Sequence, residues 1–203
     1  EMQAMDLISL AKLELKDDKK VDGFGLFRIE KTVKGDTFAA VGQFVRMPYF
    51  GPSDSDKLFL LQGIDPQDLV WSAPLPLTPE GSDYVSKLLE LPESPVERLA
   101  FFQNFFEHPD SLLSRDAYDE FAQSPYEEVI ALKDRMNRKQ LIQWVRDKAI
   151  SPDRKRLYYT MLGICGREED IEWLETQIKS DDPNERTGLD ALLACYLSLK
   201  GEA

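Results

Sequence analysis

The side chains able to do chemistry are few and scattered. One histidine occurs, His108, in the turn His108-Pro109-Asp110. An imidazole titrates near neutral pH, so it serves proton transfer or metal binding. Zinc needs further nitrogen or sulfur ligands, and neither a second histidine nor a nearby cysteine accompanies it. A structural or solvent-facing place is expected. Cys165 and Cys195 belong to no CxxC pair and have no neighbouring histidine to activate a thiolate. Packed helices lie about 8–10 Å apart, wide for a disulfide, although side-chain orientation brings some positions within reach. Buried packing is the expectation for both.

Carboxylates come in groups: Asp116, Asp119 and Glu120; Glu127 and Glu128; Glu168, Glu169 and Asp170. A glycosidase-like pair must face itself across a cleft. Glu127, Glu168 and Glu169 have the simpler role of complementing a helix dipole in its first turn. Ser53-Asp54-Ser55-Asp56 lacks the glycine and distant glutamate of a calcium loop and reads as a solvated turn. Phosphate-binding glycine loops and nucleophile elbows do not occur, and Gly23-Phe24-Gly25 lacks the following helix. No catalytic, cofactor-binding or metal-binding residue is assigned, and no cofactor is expected.

One charge feature stands out. Lys133, Arg135, Arg138, Lys139, Arg146, Lys148, Arg154, Lys155 and Arg156 crowd a short segment in which only Asp134, Asp147 and Asp153 oppose them. These are the candidate partner-binding residues, a positive patch for an acidic protein partner. The other reading is a solvated face paired with acidic neighbouring helices. Trp144 among them reads as core.

The elements that must position these residues follow from composition and pattern. The 203 residues are 42% hydrophobic and 31% charged, with a formal net charge of −12. Such a chain can fill a core, and its acidity argues against nucleic acid or anionic lipid as partners. No apolar run approaches a transmembrane span. Glu1 in place of Met leaves targeting information out of view. The apolar stretch Leu189–Leu199 wants a capping partner, so the natural chain is expected to continue.

Residues 1–78 read as β. Ile8, Leu10, Leu13 and Leu15 mostly alternate, though this segment could be partly helical, and Asp17-Asp18-Lys19-Lys20 makes a polar turn. Phe27, Ile29, Lys31 and Val33 share one strand face, with Leu26, Arg28 and Glu30 on the other. Short strands follow around 43–47, 58–62 and 69–72, punctuated by Pro48, Gly51, Pro52, Gly63 and Pro66. The prolines of Ala73-Pro74-Leu75-Pro76-Leu77 make an extended connector. From 79 to 203 the chain is a series of helix starts: Thr78-Pro79-Glu80, Ser94-Pro95-Val96-Glu97, Ser124-Pro125-Tyr126-Glu127, Asn137-Arg138-Lys139-Gln140, Ser151-Pro152-Asp153 and Asp182-Pro183-Asn184. Seven or eight helices of about three turns are predicted. The fold class is α+β, a small antiparallel β-barrel or sandwich followed by helix pairs. The run Phe101, Phe102, Phe105 and Phe106 is apolar around much of its helix and predicts burial on both sides.

His108-Pro109-Asp110, Ser151-Pro152-Asp153 and Asp182-Pro183-Asn184 superimpose as a weak repeat, with Tyr118, Met161 and Leu192 at one offset and Phe121, Ile164 and Cys195 at another. Helix pairs opened by Pro109-Asp110, Pro152-Asp153 and Pro183-Asn184 resemble HEAT repeats, an α-solenoid. Arg28-Ile29-Glu30-Lys31-Thr32-Val33-Lys34-Gly35-Asp36 followed by Lys57-Leu58-Phe59-Leu60-Leu61-Gln62-Gly63 resembles the netrin or tissue-inhibitor-like OB-type barrel. His108-Pro109-Asp110-Ser111-Leu112-Leu113 and Gly188-Leu189-Asp190-Ala191-Leu192-Leu193 resemble stretches of a family of uncharacterised bacterial proteins that join the two parts. That resemblance implies an extracytoplasmic location; a cytoplasmic one is the alternative. Residues 1–78 contain no cysteine, so the metal-binding residue of the inhibitor lineage has no counterpart.

The functional expectation is a non-catalytic binding or scaffolding module engaging a protein partner, since stacked helix pairs give extended surfaces. The alternatives are an enzyme whose carboxylates converge only in three dimensions, and a barrel that inhibits another enzyme. A deep pocket with convergent acids favours catalysis. A groove lined by residues 133–156 favours binding.

Overall fold

A computed structural model describes residues 5–14, 23–52, 56–88 and 90–201. It is α+β: a nearly closed antiparallel sheet, then eight α-helices among the described residues. The strands are β1 (Leu7–Glu14), β2 (Phe24–Lys34), β3 (Phe44–Pro48), β4 (Leu58–Ile64), β5 (Val70–Trp71) and β6 (Leu75–Pro76). The helices are α1 (Pro79–Leu88), α2 (Pro95–Phe102), α3 (Ser111–Gln123), α4 (Tyr126–Ala131), α5 (Arg138–Arg146), α6 (Pro152–Cys165), α7 (Ile171–Lys179) and α8 (Leu189–Lys200). Residues 1–91 with 107–116 form one compact unit, and residues 92–106 with 117–203 form the other. Leu15, the 17–20 turn and Ser53, Asp54 and Ser55 lie outside the described residues.

In the first unit the sheet runs β3-β2-β1-β4-β5, with β6 also on β4. The first segment is strand, which closes the helical alternative. Its register against β2 shifts between Ile8 and Ser9 and again between Leu10 and Ala11. Such bulges add twist, which helps a small sheet curl. Leu7, Ala11 and Leu13 face inward with Phe27, Ile29, Val45, Met47, Phe59 and Leu61. Phe27, Tyr49 and Phe59 meet edge to face at 5.2–5.5 Å, a favoured arrangement for their quadrupoles. Of the predicted β2 face, Phe27, Ile29 and Val33 are buried, while Lys31 is exposed. The proline connector also pairs: Leu75 and Pro76 sit opposite Leu60 and Phe59. A sheet edge tolerates proline because one side of the strand needs no donor.

Helix starts follow the expected chemistry unevenly. Thr78 Oγ1 accepts from Gly81 N at 2.9 Å, and Asn137 Oδ1 accepts from Gln140 N at 3.2 Å. Ser124 instead donates backward to Glu120 O at 2.7 Å, and α4 opens at Pro125 without a side-chain cap. Asp182-Pro183-Asn184 opens a turn rather than a helix. Asp182 Oδ1 accepts from Asn184 N at 2.9 Å, a local bond that competes with helix. α8 starts only after Gly188, whose φ of 74° ends the turn in the left-handed region.

In the second unit α6 packs against both α5 and α8, and α8 also against α7. α6 buries Lys155, Tyr158, Tyr159, Met161 and Leu162. Phe106 lies against Phe121 (4.6 Å), Tyr158 (5.5 Å) and Trp144 (6.0 Å), and Trp144 stacks on Tyr158 at 4.8 Å. Phe102 and Phe106 are buried; Phe101 and Phe105 are half-buried and stack on each other at 5.0 Å.

Candidate functional site

The second unit contains a hollow of about 400 Å³. Its floor is apolar: Phe106, Leu141, Trp144 and Met161. Carboxamides of Gln103, Asn104, Asn137 and Gln140 and the Arg135 guanidinium complete the lining. Local structure explains how they converge. α2 ends in a tight 3₁₀ turn over Gln103–Phe105, which carries Gln103 and Asn104. Asn137 caps α5, and Gln140 and Trp144 lie four residues apart on one face of it. Met161 comes from α6. Five of the nine lining residues, Arg135, Asn137, Gln140, Leu141 and Trp144, belong to segment 133–156. None of the nine is a carboxylate.

The carboxamides of Gln103, Asn104 and Asn137 are each partly engaged. Gln103 Nε2 donates to Arg135 O at 3.2 Å, and Asn104 Nδ2 donates to Ala100 O (2.8 Å) and Phe101 O (3.1 Å). Asn137 Oδ1 holds Gln140 N. Arg135 Nη1 pairs with Glu97 at 2.7 Å, both about half exposed.

The basic residues predicted for partner binding do not form one uniform patch. Arg138 is withdrawn from the surface: Nε and Nη2 reach the two oxygens of Asp170 at 2.7 and 2.5 Å, and Nη2 also meets Glu169 at 2.7 Å. Asp170 is buried and takes a further bond from Arg167 N (2.8 Å), which ties down the start of the turn before α7. Burial pushes that carboxyl up, but the bonds from Arg138 and Arg167 N outweigh it and hold the group below the usual carboxylate range. Arg146 lies over the Trp173 ring at 4.5 Å. Arg154 donates to Phe106 O and covers Tyr118 at 5.4 Å. Arg156 pairs with Asp153 (2.8 Å) and Asp190 (3.1 Å), and Lys148 with Asp182 (3.4 Å). Lys155 is buried, and desolvation lowers its pKa. Lys133, Arg135 and Lys139 stay exposed beside the hollow's residues in sequence.

No family model matches the chain, and neither does any curated protein or solved structure.

The other candidates fall apart as chemistry. His108 Nδ1 accepts from Asp110 N at 3.1 Å within its turn. Among the described residues, no group of three or more His, Cys, Asp or Glu side chains is placed to hold a metal ion. Cys165 and Cys195 are free thiols. Burial pushes Cys195 up to about 12 and raises Cys165 as well, so neither forms a thiolate at neutral pH. In the first unit Asp116 is buried and accepts from Tyr84 OH at 2.8 Å. No described helix is long and apolar enough to cross a membrane.

The hollow itself was not legible. Gln103 and Asn104 are separated by more than thirty positions from Asn137 and Gln140, and neutral amides carry no motif. Trp144, expected as core, both packs on Tyr158 and lines the hollow.

Proposed function

We propose that this chain is a non-catalytic binding module that engages a protein partner at the hollow of its helical unit. The observation that carries the reading is the lining: amides, one guanidinium and an aromatic floor, more than half of it from segment 133–156. Carboxamides and guanidinium hydrogen-bond a ligand but neither give nor take a proton at neutral pH. A ring in a partly polar hollow is the usual anchor of recognition surfaces. α6 packs on α5 and α8, and α8 on α7, contacts between paired helices that support reading them as a HEAT-like stack.

The test is site-specific photocrosslinking in native extract. A crosslinker replacing Lys139, beside the hollow, is expected to trap one discrete species. The same group replacing Lys87 of α1 serves as control. Identical patterns from both positions, or none from Lys139, would defeat the reading.

A further inference from the structure

We infer that the hollow receives a short acidic peptide segment, its backbone held by the carboxamides and one carboxylate set against the Arg135 guanidinium. This rests on the protein-binding reading above and names what the partner presents.

An extended peptide offers one carbonyl and one N–H per residue, and a carboxamide offers their complements. The engaged atoms of Gln103, Asn104 and Asn137 leave two carbonyl oxygens and one NH₂ group for a ligand. A hollow of about 400 Å³ is at the small end for ligand sites, room for roughly two to three residues. Charge then selects among ligands that amides could serve. Lys133, Arg135 and Lys139 are exposed within seven positions, with Asp134 alone opposing them there. The Arg135–Glu97 pair is solvent-exposed, a kind worth about 0–1 kcal/mol, so a peptide carboxylate can displace Glu97 at little cost. The chain's net charge of −12 does not cancel this. Screening over about 8 Å at physiological salt makes the local cations decide. A neutral polyhydroxylated ligand is the competing occupant and would make no use of them.

The experiment uses the full chain and two fluorescent pools of N-acetylated, C-amidated pentapeptides with glutamate at the second and fourth positions, or glutamine in its place. The glutamate pool is expected to bind at least tenfold tighter than the glutamine pool. Arg135→Gln should weaken it about tenfold, and so should raising salt from about 0.05 to about 0.5 M. Gln140→Glu keeps the helix and should repel the glutamate pool more than the glutamine pool. Circular dichroism checks that each variant is folded. Equal binding of the two pools, binding of neither, or binding unmoved by both substitutions overturns the inference. If the Lys139 crosslink forms while neither pool binds, the acidic-peptide assignment falls and the protein-binding reading stands.

Discussion

Arg138 shows what happens to a candidate contact residue once the chain folds. Its guanidinium and the Asp170 carboxylate are both shielded, at 17% and 5% side-chain exposure, and they meet through two parallel bonds. Removing one partner from such a pair strands the other, which is costlier than losing a surface bridge. Asp170→Asn is expected to lose about 3 kcal/mol in urea unfolding, and Arg138→Ala a similar amount. The double variant should cost less than their sum, because the second change relieves the charge stranded by the first. Equal stability of Asp170→Asn and the parent would show the pair to be ornamental. The thiols make a second residue-scale case. With Cys195 raised to about 12 by burial, iodoacetamide at pH 8 should leave it unmodified in the folded chain and label it readily in urea, as mass spectrometry would report. Fast labelling of the folded protein would contradict that burial.

Two glycines set the joints between elements, and they differ in what a side chain would meet. Gly188 has φ 74°, and an added Cβ finds ordinary contacts no closer than 3.5 Å. Gly188→Ala should therefore cost only the left-handed strain, about 1–2 kcal/mol. Gly35 has φ 80°, and its Cβ would come within 2.7 Å of Asp6 O, a backbone atom that cannot swing aside. Gly35→Ala should cost clearly more than Gly188→Ala by thermal unfolding, and the reverse order would refute the steric argument. At this scale the sequence was most informative. Alternation gave the strand faces of β2, and Thr78 and Asn137 announced their helices, because these signals act within four residues. It misled at Asp182, which closed its own turn, while α4 starts as expected although Ser124 turned back to Glu120 instead of capping it. The site was opaque for a different reason. Arg138 finds Asp170 thirty-two positions away, and the hollow's amides meet only where the turn after α2 reaches Arg135 and the start of α5, which no local pattern encodes.

Across the whole molecule, charge distinguishes the two units. Asp170, Glu175, Asp182 and Asp190 of the second unit are held below the ordinary carboxylate range. Asp170 does so against its burial, through Arg138 and Arg167 N. Glu175 is lowered by Lys179, Asp182 by the bonds from Asn184, and Asp190 by Arg156. The sheet of the first unit packs around an apolar cluster of Phe27, Tyr49 and Phe59. A carboxylate whose folded pKa lies below its unfolded value, about 4, gives its full stabilisation above that value. The contribution fades as pH falls through the folded pKa. Acid should therefore weaken the helical unit first. Between pH 7 and about 5 the helical signal at 222 nm and the fluorescence of Trp144 and Trp173 should hold steady. Below about 4 both should fall, ahead of changes at Trp71 in the first unit, followed in Trp144→Phe/Trp173→Phe protein. Asp170→Asn supplies the control: its melting temperature should lie below the parent's at pH 7, and the gap should narrow as acid drives the pH down through the parent's lowered Asp170 pKa. A gap that persists undiminished in acid would mean that the asparagine disturbs packing rather than charge, and the electrostatic account of the helical unit would fail.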